Sequence, residues 1–236
     1  MRRLPIHPQW LLGPPRSGAT IGRLRGTVLD VGCADRWAEK HCSGDVRYIA
    51  IDYPSTGAAI YSAHPDVFAD AARLPLFDVS VDAVICLEVL EHVGDYQSAL
   101  AEFFRVLKPG GTLLLSMPFM YPVHDAPHDY QRLTEFGLRR DLANAGFGDV
   151  RLVRVGSAIR TAGLLFCLAL AGGLHVRRRW SDLLLLPFVA IAVLFVNLVA
   201  VVLSALLPDW DALCKGYDVE ARKRSAATRT DAGDPG

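Results

Sequence analysis

Neither sign of charge is in excess: 25 Lys and Arg residues stand against 25 Asp and Glu in a chain of 236. With no net field, nothing draws the chain as a whole to a polyanion, and nucleic acid is not expected as a partner. The five cysteines, Cys33, Cys42, Cys86, Cys167 and Cys214, are scattered, odd in number and without a CxxC pair. No disulfide framework is therefore expected, and a reducing compartment is. Residues 1–18 begin with arginines, but Pro5, Pro8, Pro14 and Pro15 break up the apolar residues among them. That stretch lacks the continuous apolar core of a secretory signal, so a cytoplasmic location is expected. Internal repeats are missing too. With 51% apolar and 21% charged residues, extended disorder is excluded, and the length suits one full domain with an elaboration.

What is present, from residue 27 onward, is an alternation of short β-branched runs with helical stretches. This is the pattern of a parallel sheet covered by helices on both faces, a doubly wound α/β domain. Strands are expected at Thr27–Val31, Tyr48–Ile51, Ala83–Leu87, Thr112–Ser116 and Val150–Val155, with a last one at Tyr217–Ala221. A helix over about Tyr96–Leu107 places Leu100, Phe103, Phe104 and Leu107 on one stripe and stops at Lys108-Pro109-Gly110-Gly111, a basic turn followed by residues that cannot continue it. A second helix starts with Thr134 as its cap, turns Phe136, Leu138 and Leu142 inward and stops at Gly146. The expected division is an N-terminal extension over 1–23, a core over 24–158, an apolar helical insertion over 159–212, the last strand over 213–224 and a tail over 225–236.

Val28-Leu29-Asp30-Val31-Gly32-Cys33-Ala34 sets a carboxylate at the end of an apolar strand and a glycine just beyond it. In an open α/β sheet, ligands bind outside the carboxyl ends of the strands. About twenty residues on, Ile49-Ala50-Ile51-Asp52-Tyr53 ends a second strand in Asp52, where a carboxylate accepts hydrogen bonds from ribose hydroxyls. Dinucleotides want three spaced glycines so that a pyrophosphate can rest on backbone N–H groups. Here only Gly32 is in place, with Ala34 and Arg36 at the other positions. A nucleoside cofactor without phosphate, such as S-adenosylmethionine, fits better.

These residues resemble the class I S-adenosylmethionine-dependent methyltransferases of the broad type 11 group, over about residues 24–155. Val28–Ala34 looks like the family's first motif. Tyr48–Pro54, Phe68–Pro75, Leu87–Val93 and Leu107–Gly111 look like successive blocks in the family's order and spacing. The resemblance implies a Rossmann-like methyltransferase sheet whose last strand is antiparallel, with S-adenosylmethionine as cofactor. It also implies that Asp30 and Gly32, with the neighbouring Cys33 and Ala34, line the methionine end of the cofactor. Asp52, next to Tyr53, takes the ribose hydroxyls, Asp70 and Ala71 read the adenine edge, and Cys86, Leu87 and Glu88 flank the sulfonium. The family more usually carries glycine where this chain has Ala34. His92 is read as packing or capping.

Methyl transfer from a sulfonium is an in-line displacement, so the protein supplies alignment, water exclusion and sometimes a base. The segment Met117–Thr134 leaves the carboxyl end of a strand beside the cofactor crevice and holds His124, Asp125, His128, Asp129, Tyr130 and Arg132. His124 or His128 is suited to take a proton from a hydroxyl acceptor, oriented by Asp125 or Asp129, which favours O-methylation. Bracing of the loop by Asp129, Tyr130 and Arg132 is the other reading of the same residues. No metal is expected, because Pro127 prevents the helical geometry that brings His124 and His128 onto one face. The motif running from Tyr121 to Thr134 resembles a bacterial subgroup associated with cell-envelope and polysaccharide pathways, which implies a small-molecule, glycan or lipid-linked acceptor.

Leu183–Leu207 is 25 residues without a charge, long enough at about 1.5 Å per residue to cross about 30 Å of hydrocarbon. Thr161–Val176 is similar but shorter. Because the strands on either side belong to one sheet, the chain must return, which excludes a single span. Three arrangements remain: helices dipping into one leaflet, a full hairpin, and a dry helical layer through which two copies dimerise. Arg177–Arg179 and Arg222–Arg224 suit anionic headgroups. An enzyme at the inner face of the plasma membrane is the first expectation, and a methyltransferase-fold binding module, anchored or oligomeric, is its rival.

Overall fold

The computed structural model describes residues 4–13, 18–57, 63–177 and 183–224. Arg178, Arg179 and the tail from residue 225 lie outside the described residues. Two compact units emerge, one made of Arg16–Met117, His124–Val153 and Tyr217–Gly236, the other of Met1–Pro15, Pro118–Val123 and Arg154–Gly216. Residues 4–13 thus group with the helical insertion.

The sheet has seven strands: β1 (Thr27–Val31), β2 (Arg47–Asp52), β3 (Val67–Phe68), β4 (Val81–Leu87), β5 (Leu107–Pro118), β6 (Phe147–Val155) and β7 (Gly216–Lys223). Their order is β3-β2-β1-β4-β5-β7-β6, with β7 antiparallel. The two-residue β3 is not among the expected strands, β5 extends beyond Thr112–Ser116 at both ends, and β6 starts at Phe147, before the expected Val150, and ends at Val155 as expected. β1 sits between β2 and β4, with Asp30 level with Ala50 on one side and Ile85 on the other. Its strands are apolar on both faces, with Val28, Leu29, Val84 and Ile85 fully buried, as a parallel sheet covered on both sides requires. Strand order reverses between β1 and β4, and a crevice opens at such a point.

The helices α1 (Gly18–Ile21), α2 (Pro54–Gly57), α3 (Tyr96–Val106) and α4 (Glu135–Asn144) belong to this unit. Asp95 caps α3 by accepting from the Ser98 N–H at 3.1 Å. The helix ends one residue early, with Leu107 already extended at φ −66° and ψ 139°. In α4, Thr134 accepts from the Gly137 N–H at 3.2 Å, and Leu138 and Leu142 are fully buried. Phe136, expected inward, is 81% exposed: it lies two residues from Leu138 on a helix, and such neighbours do not share a face.

The second unit is built on α5 (Ala158–Arg177) and α6 (Leu186–Leu206), which pack on each other. Gly163 permits the approach, since a Cβ there would lie 3.0 Å from the Ala200 Cβ and 3.1 Å from Leu11 Cδ1. Leu11, Leu164 and Ala200 form the core. Asn197, buried in mid-helix, donates its amide to the carbonyls of Pro5 at 2.6 Å and His7 at 3.2 Å. The helix's other side is bare: Phe188, Ile191, Phe195, Leu198, Val202 and Leu206 are all exposed, at helical spacings that make one stripe. Among the described residues, α6 alone is long and apolar enough to cross a membrane, and only 17% of its most apolar window is buried.

Candidate active site

The crevice at the end of β1 is a cavity of about 480 Å³, within the range of small-molecule sites. Its first wall is the turn after β1. Gly32, at φ +74°, sits so close to Val89 that a Cβ would lie 2.3 Å from a valine methyl, so glycine is required here. Its N–H donates to the Ile51 carbonyl at 2.8 Å, tying the turn to β2. Ala34 and Arg36 are also left-handed, at φ 43° and 58°, a conformation that disfavours side chains. Arg36 is held by bonds to Glu39 at 2.7 Å and Asp66 at 3.1 Å, with Tyr48 beneath its guanidinium.

Asp52 closes the turn from β2. Its carboxylate accepts from the Ala34 N–H at 2.9 Å and the Tyr53 N–H at 2.8 Å. Gly32, Ala34, Asp52 and Tyr53 all line the cavity, as do Asp70 and Ala71 beyond β3 and Leu87 and Glu88 at the end of β4. Glu88 accepts from the Ser116 hydroxyl at 2.7 Å, which fixes it to β5.

Three residues expected at the cofactor stand behind this surface. Asp30 is buried and accepts from the Tyr48 hydroxyl; burial raises its carboxyl to a pKa of about 6, although the Tyr48 bond works the other way. It does not line the cavity. Cys33 is buried with its Sγ 3.9 Å from Asp52, and burial pushes its thiol up to about 12. Cys86 is fully buried, which also raises its thiol.

The opposite wall comes from the segment after β5. His124, Asp125, His128 and Tyr130 face the cavity. Asp129 and Arg132 stand behind His124. The Asp129 carboxylate accepts from the His124 N–H at 3.0 Å, lies 3.2 Å from His124 Nδ1 and bonds Arg132 Nη2 at 2.7 Å. Burial works to raise its pKa, but Arg132 and the His124 N–H outweigh it and hold the carboxyl down at about 2. The segment is strapped to the turn after β4: the Tyr130 N–H donates to Glu91 O at 2.8 Å and Gln131 Nε2 to Val93 O at 2.9 Å.

His92, read from sequence as packing or capping, lines this wall. Its Nδ1 is 3.0 Å from the His128 carbonyl, and its ring meets His124 edge-on at 4.9 Å. Burial lowers its pKa. Glu91 beside it is fully buried, and neither carboxylate oxygen has a hydrogen-bond partner. Burial and the nearby Glu88 raise its carboxyl to about 8. Ser55, Thr56, Val93, Gly94 and Asp95 also border the cavity; the sequence signal that points to the residues after β4 is their position just past a strand's carboxyl end.

Residues 29–115 match the model of a methyltransferase domain. A probable S-adenosylmethionine-dependent methyltransferase of Mycolicibacterium smegmatis is 38% identical over 96 residues, 39% of this chain and 37% of that one. One of Mycobacterium tuberculosis is 35% identical over 136 residues, 53% of this chain and 50% of its own. The chain spans half or less of the length of these relatives. In fold it is similar to a solved S-adenosylmethionine-dependent methyltransferase of Archaeoglobus fulgidus, with a TM-score of 0.57, 14% identity and coverage of 92% of this chain and 95% of that one.

Proposed function

We propose that this chain, whose residues 29–115 match the model of a methyltransferase domain and lie in a seven-stranded sheet of order β3-β2-β1-β4-β5-β7-β6, is an S-adenosylmethionine-dependent enzyme that methylates an oxygen of a small-molecule, glycan or lipid-linked acceptor. The observation that carries this reading is one cavity bounded on one side by Gly32, Ala34, Asp52 and Asp70 and on the other by His124, His128 and Tyr130. Asp52 and Asp70 recognise the adenosine, and the turn at Gly32 receives the amino-acid tail. The cofactor supplies the electrophilic methyl. The acceptor oxygen attacks that carbon as the carbon–sulfur bond breaks, its electron pair goes to sulfur, and the hydroxyl proton passes to His124 or His128. Asp129 and Arg132 act as positioning residues for His124.

Association with the inner face of the cytoplasmic membrane belongs to the same proposal. It is supported by the bare apolar stripe of α6. The test is transfer of labelled methyl from S-adenosylmethionine into lipid and glycan extracts. Label is expected in one acceptor fraction and should fall steeply, by ~100-fold or more, in His124→Ala or His128→Ala. Label retained in full by both variants overturns the assignment of a base, and no label in any fraction favours the binding-module reading.

A further inference from the structure

We propose that Glu91, His92 and His124 form a binding site for a divalent transition-metal ion of the zinc type at the acceptor end of the cavity. One ligand atom from each residue lies within 4.8 Å of those of the other two, and the three come from two separate stretches: Glu91 and His92 from the short turn after β4, His124 from the segment after β5. The helical spacing that Pro127 denies to His124 and His128 is not needed, because the chain's path brings the ligands together.

Two features go beyond proximity. First, His92 has Nδ1 committed to an acceptor, 3.0 Å from the His128 carbonyl, and His124 Nδ1 lies 3.2 Å from the Asp129 carboxylate and 3.5 Å from Arg132 Nη2, so that both rings turn Nδ1 away from Glu91. Metal-binding histidines are held in this way: the second nitrogen donates to a carbonyl or carboxylate, which fixes the ring and the tautomer and assigns Nε2 as the ligand atom. His92 Nε2 faces Glu91 Oε1 at 3.7 Å. Second, Glu91 is fully buried with no hydrogen bond to either oxygen. A fully buried carboxyl whose two oxygens meet no hydrogen-bond partner is costly, and a metal ion is one way to satisfy it. The charge of nearby Arg132 favours the ionised carboxyl, but its hydrogen bonds go to Asp129, at 2.7 Å, and to the Gln131 carbonyl, at 2.9 Å, and none reaches Glu91. An ion between Glu91 and the two imidazoles answers the carboxylate.

Two nitrogens and one oxygen suit zinc and its neighbours, and three protein ligands leave a further position for a small molecule. Because His92 and His124 both line the cavity, that position faces the space assigned to the acceptor. There the ion acts as a Lewis acid on a hydroxyl; His124 is then a ligand, and His128 receives the proton. Ion binding itself does not depend on the methyl-transfer reading and is tested without it.

The experiment is titration of the untagged, chelator-treated full chain with Co²⁺, followed by its visible absorption, then competition with Zn²⁺. One ion per chain is expected, with bands displaced by zinc. Affinity should fall at least ~10-fold in Glu91→Gln and in His124→Ala, by a comparable factor in Asp129→Asn, and not at all in His128→Ala. Near-UV circular dichroism identifies any variant that fails to fold, and His124→Ala, at a partly exposed site, carries the test if Glu91→Gln does. The proposal is overturned if the folded wild type gives no bands, or if they survive both Glu91→Gln and His124→Ala.

Discussion

At Asp30, burial and a phenol compete over one carboxyl. Sequence places this residue at a strand end facing a ligand; the structure turns it into the sheet, against Tyr48. Its pKa rises from 3.8 to about 6. A folded-state pKa above the unfolded one means that the folded protein holds the proton more tightly. The resulting stabilisation is full below pH 3.8 and is lost as pH rises through about 6. Asp30→Asn removes this slope. Thermal melts of wild type and variant should therefore diverge between pH 4 and 7 in the variant's favour, by on the order of 3 kcal/mol at the upper end; parallel curves contradict the assignment. Groups such as Asp129, which shift the other way, cancel in the difference. Ala34 makes a second residue-scale case. Replacing alanine by glycine ordinarily costs about 1 kcal/mol through the unfolded chain, but φ 43° costs alanine a similar amount in the folded one. Ala34→Gly should leave the melting temperature within ~4 °C and bind S-adenosylmethionine at least as tightly, since a methyl leaves the cavity wall. A large destabilisation or weaker binding would show that the turn does not need relief.

Among the elements, those governed by local rules were legible in sequence. The apolar strands β1 and β4, the cap at Thr134 and the stop before Pro109-Gly110-Gly111 each depend on neighbours in the chain. What was not legible depends on partners far away. Phe136 reads in sequence as inward with Leu138 and Leu142, and helical geometry turns it out. His92 reads in sequence as packing or capping, and the segment that ties it to the cavity wall through the His128 carbonyl lies 36 residues on. For α6, sequence gave the length and apolarity, and the structure adds direction: Asn197 is spent on the backbone of residues 5–7, leaving the opposite stripe wholly apolar. Full-length protein mixed with vesicles containing anionic phospholipid should float with them, and Phe188→Ser/Phe195→Ser should reduce the floating fraction without lowering the melting temperature, both side chains being exposed. Protein that stays at the bottom of the gradient as a stable dimer would assign the stripe to a second copy.

For the molecule as a whole, charge balance leaves recognition to local chemistry, and that chemistry gathers at the reversal of strand order. The antiparallel last strand is what the family resemblance implies, and the pairing of the Gly32 turn with Asp52 is readable from spacing, whereas Asp30, read from the same spacing, stands behind the cavity wall. The convergence of the far wall on the same cavity was not readable, because it depends on how the segment after β5 folds back onto the turn after β4. The central claim is that this cavity holds an adenosine cofactor. Calorimetric titration of the full-length protein with S-adenosylmethionine and S-adenosylhomocysteine tests it most directly. One site per chain for each ligand is predicted, with binding lost in Asp52→Ala; absence of heat from the wild type, or unchanged heat from that variant, would contradict the account.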